Sequence, residues 1–210
     1  MVPVYLIKRN TNKSCYRAAP DPAADGVGPP ATLPDYLRSG LDIVSVGINP
    51  SLSSVRAGYY FANPRNRFWR ALNDSGLLPV RLVPGVAAMA ALLEHGIGFT
   101  DVVKRPTAMA GDLRAADYRQ DVPLLSAKLA RYQPRIIWFQ GKTACDHYLK
   151  YTGAMPARID WGQQPFGLGP CQVFVTPSPS PANAVFSLAD LAGWMAQLAV
   201  LRDSLSPPAR

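Results

Sequence analysis

Short apolar runs that alternate with helix-like segments constrain the fold of this chain more than any other feature of its sequence. Residues 41–48 are apolar, rich in β-branched side chains, and stop at Asn49 and Pro50, which is typical of a buried parallel strand. Comparable strand-like runs lie at 97–103, 135–140 and 171–176, and segments with helical spacing lie at 66–75, 85–95, 122–132, 143–151 and 188–201. This alternation predicts an α/β fold in three layers, α/β/α, with a mostly parallel central sheet and helices on both faces.

Proline-rich segments set the predicted domain boundaries. The chain has 21 prolines in 210 residues, about double the usual share of roughly 5%, and six of them fall between Pro3 and Pro34. We therefore predict an N-terminal arm or linker over 1–40, one domain over 41–203 and a frayed tail over 204–210. No apolar run reaches the roughly 18 residues that a membrane-spanning helix needs, so we expect no membrane partner.

Cysteine and histidine usage argues against both a disulfide framework and a metal site. The three cysteines, Cys15, Cys145 and Cys171, are odd in number and far apart in sequence, which is typical of neither arrangement. The two histidines, His95 and His147, lie within helix-like segments away from the predicted strand ends. We expect a reduced, cytoplasmic protein with no metal and no cofactor.

A surplus of positive charge favours a polyanionic partner. Lysine and arginine number 22 against 14 acidic residues, which gives a net charge of +8. The segment 56–70 contains four arginines, five aromatic residues and no acid. Arginines interleaved with aromatic rings suit a surface that tracks phosphates and stacks bases. A solvated helix face whose aromatic side chains lie in the core would have the same composition.

The loops that follow the predicted strands are the expected place for a site, because ligands of parallel sheets bind beyond the carboxyl ends of the strands. These loops carry Asn49, Asp101, Ser178, Ser180 and Asn183. Asp101 is the one acid placed as a general base would be. A helix cap or a structural ion pair would place a carboxylate in the same position.

Residues 140–143, Gln-Gly-Lys-Thr, resemble the end of a phosphate-binding loop. The complete pattern needs a glycine five positions before the Gly-Lys pair, where Ile136 stands. The sequence therefore argues against a nucleoside triphosphatase. Lys142, at the start of a predicted helix, remains a candidate phosphate contact.

Two strings of residues carry a resemblance to a known family. They are residues 47–54, Gly-Ile-Asn-Pro-Ser-Leu-Ser-Ser, and residues 60–69, Tyr-Phe-Ala-Asn-Pro-Arg-Asn-Arg-Phe-Trp. Together they closely resemble the mismatch-specific uracil-DNA glycosylase and thymine-DNA glycosylase branch of the uracil-DNA glycosylase superfamily. Residues 99–107 look like the second conserved segment of that branch, and residues 176–180 resemble the motif at the end of its last strand.

The resemblance implies that the chain extrudes a base from duplex DNA into a pocket and hydrolyses its N-glycosidic bond. By this resemblance, Asn49 holds the attacking water and Phe61 is the ring on which the target base stacks. The other implied base-pocket residues are Gly47, Ile48 and Ser54. The expected DNA-binding residues are Arg65, Arg67, Lys142, Ser178, Ser180, Ala182 and Asn183.

Three positions depart from the wider family. Thr176 stands where other branches carry a histidine that stabilises the leaving base. The branch named above also lacks this histidine, and its absence predicts modest rates of base release. Residues 181–184 are small where relatives wedge a bulky side chain into the base stack, and we expect Asn183 to fill the gap. Asp101 stands where relatives carry an amide or a lysine, and its carboxylate would activate water or stabilise the cationic sugar.

We therefore predict a monomeric, monofunctional DNA glycosylase that acts on double-stranded DNA containing uracil, chiefly in G:U mismatches, and leaves an abasic site. In the cell we expect it in the cytoplasm, associated with the nucleoid. The absence of a fourth cysteine argues against an iron–sulfur cluster. Two alternatives remain: a nucleic-acid-binding module without activity, which Asn49 and Phe61 argue against, and a nucleoside or nucleotide hydrolase, which the arginine-aromatic segment argues against.

Overall fold

A computed structural model describes residues 32–154 and 158–205 of the chain. The strands in these ranges are β1 (Ile43–Gly47), β2 (Ile97–Asp101), β3 (Ile136–Gln140), β4 (Gly162–Leu168) and β5 (Cys171–Thr176). They form one sheet in the spatial order β2-β1-β3-β5-β4. Four strands run parallel, and β4 is antiparallel to its neighbour β5.

Helices cover both faces of this sheet. They are α1 (Leu52–Ala57), α2 (Phe68–Asp74), α3 (Val86–Glu94), α4 (Ala115–Tyr132), α5 (Lys142–Thr152) and α6 (Leu188–Ser204), with a short 3-10 helix over Ala110–Asp112. On β1, Ile43 belongs to the core shared with α1, α2, α3 and α6, whereas Val44 and Val46 belong to the core shared with α4 and α5. The predicted three-layer α/β/α fold with a mostly parallel sheet is therefore confirmed.

The sequence pattern did not predict β4, because its residues, Gly-Gln-Gln-Pro-Phe-Gly-Leu, contain no apolar run. Among the described strands it pairs with β5 alone, at the edge of the sheet. An edge position accepts Pro165, whose missing N–H would interrupt a central ladder. Gln164 is buried and donates its side-chain amide to the backbone oxygens of Asp160 and Gly162 at 2.8 and 2.9 Å.

Helix α4 begins at Ala115 rather than at the predicted residue 122. The carboxylate of Asp117 accepts a hydrogen bond from the backbone N–H of Arg114 at 2.7 Å, which satisfies one of the free donors of the first turn. The buried side chains of the helix recur at helical spacing: Tyr118, Val122, Leu125 and Leu129. Pro123 lies in the interior of this helix, one residue after the predicted start. Proline is usually disfavoured in a helix interior, because it lacks the N–H that the helix would bond.

Residues 33–40, which the predicted boundary assigned to the N-terminal arm, lie against the sheet. Leu33 is buried in the same core as Ile43. Tyr36 and Phe99 exchange two backbone hydrogen bonds of 2.9 Å, so this segment borders the outer edge of β2. The predicted arm before residue 32 and the tail after residue 205 lie outside the described residues.

The described residues contain neither a membrane-spanning helix nor a metal-binding cluster. Within residues 32–154 and 158–205, no helix has the length and apolar character that crossing a membrane requires. Nor does this part of the chain contain a group of three or more His, Cys, Asp or Glu side chains that could hold a metal ion. Cys145 and Cys171 are free and buried, and burial raises the pKa of their thiols to about 12 and about 11. Cys15 lies outside the described residues.

Candidate active site

A cavity of about 730 Å³ opens beyond the carboxyl ends of β1, β2, β3 and β5. This volume lies within the roughly 300–1,000 Å³ range of small-molecule pockets. The predicted site residues that line it are Gly47, Ile48, Asn49, Ser54, Phe61, Asp101, Lys142, Ser178, Ser180, Ala182 and Asn183. Arg65 and Arg67 are the predicted residues that do not line it. The strand-end rule therefore brings the expected polar groups to one cavity.

The amide of Asn49 is held in one orientation. Its Nδ2 atom donates to the backbone oxygen of Arg105 at 3.0 Å and to Oγ1 of Thr107 at 2.7 Å. The Thr107 hydroxyl donates its own hydrogen to the backbone oxygen of Met109, at 2.8 Å. It can therefore only accept a hydrogen bond from Asn49. Both amide hydrogens are thus occupied, and Oδ1 of Asn49 remains as an acceptor in the cavity wall.

Asp101 is a buried carboxylate, only 3% exposed, at the end of β2. Its Oδ2 atom accepts hydrogen bonds from the Tyr60 hydroxyl at 3.0 Å and from Nζ of Lys104 at 3.3 Å. Its Oδ1 atom makes no hydrogen bond within the described residues and lies beside Gly47, the residue paired with Asp101 in the sheet. Burial raises the pKa of Asp101 above its ordinary value, although Lys104 and the Tyr60 hydrogen bond oppose this rise.

Phe61 has a backbone conformation that is unusual for a residue with a side chain. Its φ angle is +59°, in the left-handed region that costs roughly 1–2 kcal/mol for residues other than glycine. Its ring stacks on Phe68, with the ring centres 4.0 Å apart and the planes 17° from parallel. The next residue is tied down as well, since the backbone N–H of Ala62 donates to Oγ of Ser54 at 3.3 Å. Ser54 therefore positions the loop that carries Phe61.

Arg67 holds the loop that follows β5. Its guanidinium donates to the backbone oxygens of Ser180, Asn183 and Phe186, and its backbone N–H donates to the oxygen of Pro179 at 3.1 Å. These bonds use the chain's own carbonyl groups as acceptors, where the sequence predicted a DNA phosphate. The geometry assigns Arg67 the positioning of residues 180–186 instead.

The same loop exposes a large apolar side chain. Asn183, which we expected to fill the gap left by an extruded base, donates its side-chain amide to the backbone oxygen of Ser178 at 3.0 Å. Its side chain therefore braces the loop from within. Val185, two residues later, is 86% exposed. Val185 is thus the large apolar side chain that this loop exposes, and the sequence motif gave no reason to single it out.

Lys142 and Arg65 differ in how far they are fixed. Lys142 begins α5, and its Nζ atom lies 4.5 Å from the centre of the Trp161 ring, which also lines the cavity. Arg65 is exposed, and in the described part of the chain only its backbone N–H is bound, to Oδ1 of Asn63 at 2.9 Å. Of the two, Lys142 lies at the cavity and Arg65 lies outside it.

Sequence reasoning missed several polar groups of the site. Gln140 is 5% exposed, lines the cavity, and donates its Nε2 to Oγ of Ser45 at 3.1 Å. Its Oε1 atom is shielded from solvent and has no hydrogen-bond partner in the described part of the chain. A polar residue at the end of a buried strand was the available signal. Tyr60 was predicted only as an aromatic of the motif, and its bond to Asp101 needed the fold.

Two comparisons bear on this geometry. The sequence model of the Uracil DNA glycosylase superfamily matches residues 34–199, a range that includes every predicted site residue. Among solved structures, the chain is similar to a solution NMR structure from Methanosarcina acetivorans of a candidate uracil DNA glycosylase, with a TM-score of 0.54 and 24% sequence identity. The match covers 81% of this chain and 96% of that chain, and it shows a shared fold.

Proposed function

Because the chain belongs to the uracil DNA glycosylase superfamily, we propose that it is a monofunctional DNA glycosylase that removes uracil from double-stranded DNA, chiefly opposite guanine, and leaves an abasic site. Family membership supports the general role, hydrolysis of N-glycosidic bonds in DNA repair. One observation carries the residue assignment. Asn49, Asp101 and Phe61 line the same cavity, and Oδ1 of Asn49 and Oδ1 of Asp101 make no hydrogen bond within the described residues.

In the proposed reaction, a water molecule attacks C1′ of the extruded nucleotide. The N-glycosidic bond breaks, its electron pair leaves with the base, and a proton of the water passes to the Asp101 carboxylate. Asn49 orients the water through Oδ1, because an amide oxygen accepts a hydrogen bond but is too weak a base to take the proton. The anionic base is then protonated from solvent.

The base pocket combines a ring with an unsatisfied acceptor. One face of Phe61 is covered by Phe68, which leaves the other face for stacking a base, an interaction worth roughly 1–3 kcal/mol. Gln140 supplies an oxygen without a partner in the described residues, and such a buried acceptor costs roughly 1–3 kcal/mol. Because this oxygen is shielded from solvent, the Gln140 amide must turn towards the cavity before a base can contact it. The N3–H of uracil would then satisfy the oxygen, whereas cytosine has no hydrogen on N3, so this contact favours uracil.

Stabilisation of the leaving base falls to backbone groups. Thr176 is buried at the end of β5, and its Oγ1 accepts a hydrogen bond from Nε1 of Trp138 at 2.9 Å. Neither residue lines the cavity. We infer that backbone N–H groups near Ile48 stabilise the departing anion, as in an oxyanion hole. Bases that leave easily should therefore be released fastest.

Base release from a labelled duplex with one uracil opposite guanine tests this proposal. Enzyme in excess should produce alkali-sensitive abasic sites, and Asn49→Ala and Asp101→Asn should each slow the single-turnover rate by about 100-fold or more. Asp74→Asn is the matched control, because Asp74 pairs with Arg81 on an exposed surface. It should leave the rate unchanged.

Further substrates separate the alternatives. Uracil opposite adenine, uracil in a single strand and free deoxyuridine should each be processed more slowly than uracil opposite guanine. Faster cleavage of free deoxyuridine would indicate a nucleoside hydrolase. Salt-sensitive binding to duplex DNA without release of uracil would contradict the proposed activity and leave a binding module.

A further inference from the structure

A chain of charged side chains adjoins Asp101, and its other members do not line the cavity. Nζ of Lys104 lies 3.3 Å from Oδ2 of Asp101 and 2.9 Å from Oδ1 of Asp35. The other oxygen of Asp35 lies 2.6 Å from Nζ of Lys128, on α4. Two carboxylates and two ammonium groups thus alternate from the cavity wall towards the surface. None of Asp35, Lys104 and Lys128 was predicted from the sequence.

Lys104 uses all of its donors inside this cluster. Besides the two carboxylates, Nζ donates to the Tyr60 hydroxyl at 3.3 Å, and an ammonium group has three hydrogens. Tyr60 in turn donates to Oδ2 of Asp101. Oδ2 of Asp101 therefore receives two hydrogen bonds, and these fix the carboxylate with its free Oδ1 beside Gly47.

Asp35 anchors the cluster from outside the predicted domain. Its Oδ1 also accepts from the Thr100 hydroxyl at 2.8 Å. The side chains of Asp35 and Lys104 are only 19% and 21% exposed. Burial disfavours the charged form of both side chains, but their ion pairs and hydrogen bonds together outweigh it, so the pKa of Asp35 is lowered and the pKa of Lys104 is raised. Both groups are thus charged at neutral pH.

We propose that Lys104 and Asp35 are positioning residues for Asp101: Lys104 keeps the buried carboxylate charged and turned towards the cavity, and Asp35 holds Lys104 in place. This role rests on the proposed function, in which Asp101 accepts the proton of the attacking water. Neither Lys104 nor Asp35 lines the cavity, so both act through Asp101.

The two residues should shift the titration of Asp101 in opposite directions. Lys104→Met removes the cation next to Asp101 and favours the neutral acid, so the pKa of Asp101 should rise by about 1–3 units. Asp35→Asn keeps a side-chain oxygen that can accept from Lys104, so Lys104 stays beside Asp101, but it removes a like charge, so the pKa of Asp101 should fall. Of the other groups near the cluster, Tyr60 and Tyr36 stay neutral in this range because burial raises the pKa of both. The Asp121 carboxylate accepts from the backbone N–H of Lys104 at 2.7 Å and makes no hydrogen bond to its ammonium group within the described residues.

The experiment titrates the free protein first. Asp carboxyl carbons are labelled with ¹³C, and the Asp101 signal is identified by its loss in Asp101→Asn. Titrations of the wild type, Lys104→Met and Asp35→Asn are compared with Lys128→Met, the matched control. That variant loses the same charge at a residue that contacts Asp35 but not Asp101, so its shift should be clearly smaller than that of Lys104→Met. Thermal unfolding establishes that each variant is folded.

Single-turnover rates of uracil release are then measured against pH for the same four proteins. The acid limb should move in the same order as the NMR midpoints. Equal midpoints for Lys104→Met and Lys128→Met, or movement of Lys104→Met and Asp35→Asn in the same direction, would overturn the inference. If the midpoints move as expected while the wild type releases no uracil, the positioning of Asp101 by Lys104 and Asp35 is supported and the proposed function is contradicted.

Discussion

A Cβ atom placed on Gly47 would lie 2.7 Å from Oδ1 of Asp101. The two residues are partners in the β1–β2 register, so the approach is set by the sheet and not by a loop. The nearest group is the very oxygen that we assign to proton transfer. Glycine at residue 47 is therefore a condition for the position of the Asp101 carboxylate, because real Cβ atoms do not approach so closely.

Gly47→Ala should displace the Asp101 carboxylate and slow base release. A displacement of about 1 Å costs on the order of 100-fold in rate. Gly193→Ala is the control, because a Cβ at that helical position meets nothing within 4 Å and alanine favours a helix by roughly 1 kcal/mol. The single-turnover rates of the two variants make the comparison. Equal rates would mean that Asp101 is not held against Gly47.

The rate of the wild-type enzyme should rise from acid pH to a plateau as Asp101 loses its proton. Burial raises the pKa of Asp101, so the midpoint should lie above the value of about 3.9 for an ordinary aspartate. Asp101→Asn should abolish this limb. A limb that survives in Asp101→Asn would assign the titration to another group.

Phe61→Gly and Phe61→Ala separate the backbone of this residue from its ring. Both variants lose the stack on Phe68, and both should bind the target base more weakly by roughly 1–3 kcal/mol. At a φ of +59°, however, glycine should be the more stable of the two by about 1 kcal/mol. Thermal unfolding measures the difference. A more stable alanine variant would show that the left-handed conformation is not retained in solution.

Arg67→Lys should reduce base release almost as much as Arg67→Met does. One ammonium group cannot reach all three carbonyl oxygens of the 180–186 loop, so neither variant holds this loop in place. Arg65→Met should instead weaken DNA binding and reduce the slope of log affinity against log salt by about 0.9. Binding measured at several salt concentrations distinguishes the two arginines. A reduced slope in Arg67→Met would return that residue to the phosphate contacts.

Val185→Ser should slow the release of uracil from duplex DNA more than from a single strand. The exposed valine is the apolar group available to replace the extruded base in the stack, and a single strand has no stack to fill. Val200→Ser, which changes a valine that is 71% exposed on α6, is the control. Equal losses on both substrates would remove Val185 from base extrusion.

The central strands could be predicted because their sequences are apolar on both faces. Asn49 and Asp101 followed from the same observation, since polar residues directly after buried strands gather at one edge of a parallel sheet. The strand β4 could not be found from an apolar run, because a strand at the edge of the sheet does not need one. Its buried Gln164 is satisfied locally, which leaves no periodic signal.

The partners of the site residues lay beyond sequence reasoning for a different reason. Arg67 looked like a phosphate contact because it stands in a basic, aromatic segment, and its acceptors lie more than 110 residues away in the chain. The contact between Lys104 and Asp35 spans 69 residues and crosses the predicted domain boundary. Such pairings depend on how the loops converge over the sheet, and the spacing within one motif does not contain them.

Residues 33–40 also determine how the sheet ends. Tyr36 takes the outward backbone groups of Phe99 on β2, and on the opposite side Pro165 lies in the edge strand β4. Both devices discourage strands of neighbouring molecules from joining the sheet. A chain shortened to begin at residue 41 would lose Asp35 and would also expose the edge of β2. Exposed strand edges promote aggregation, so the shortened chain should be less soluble. Its low yield could then be misinterpreted as an unstable core.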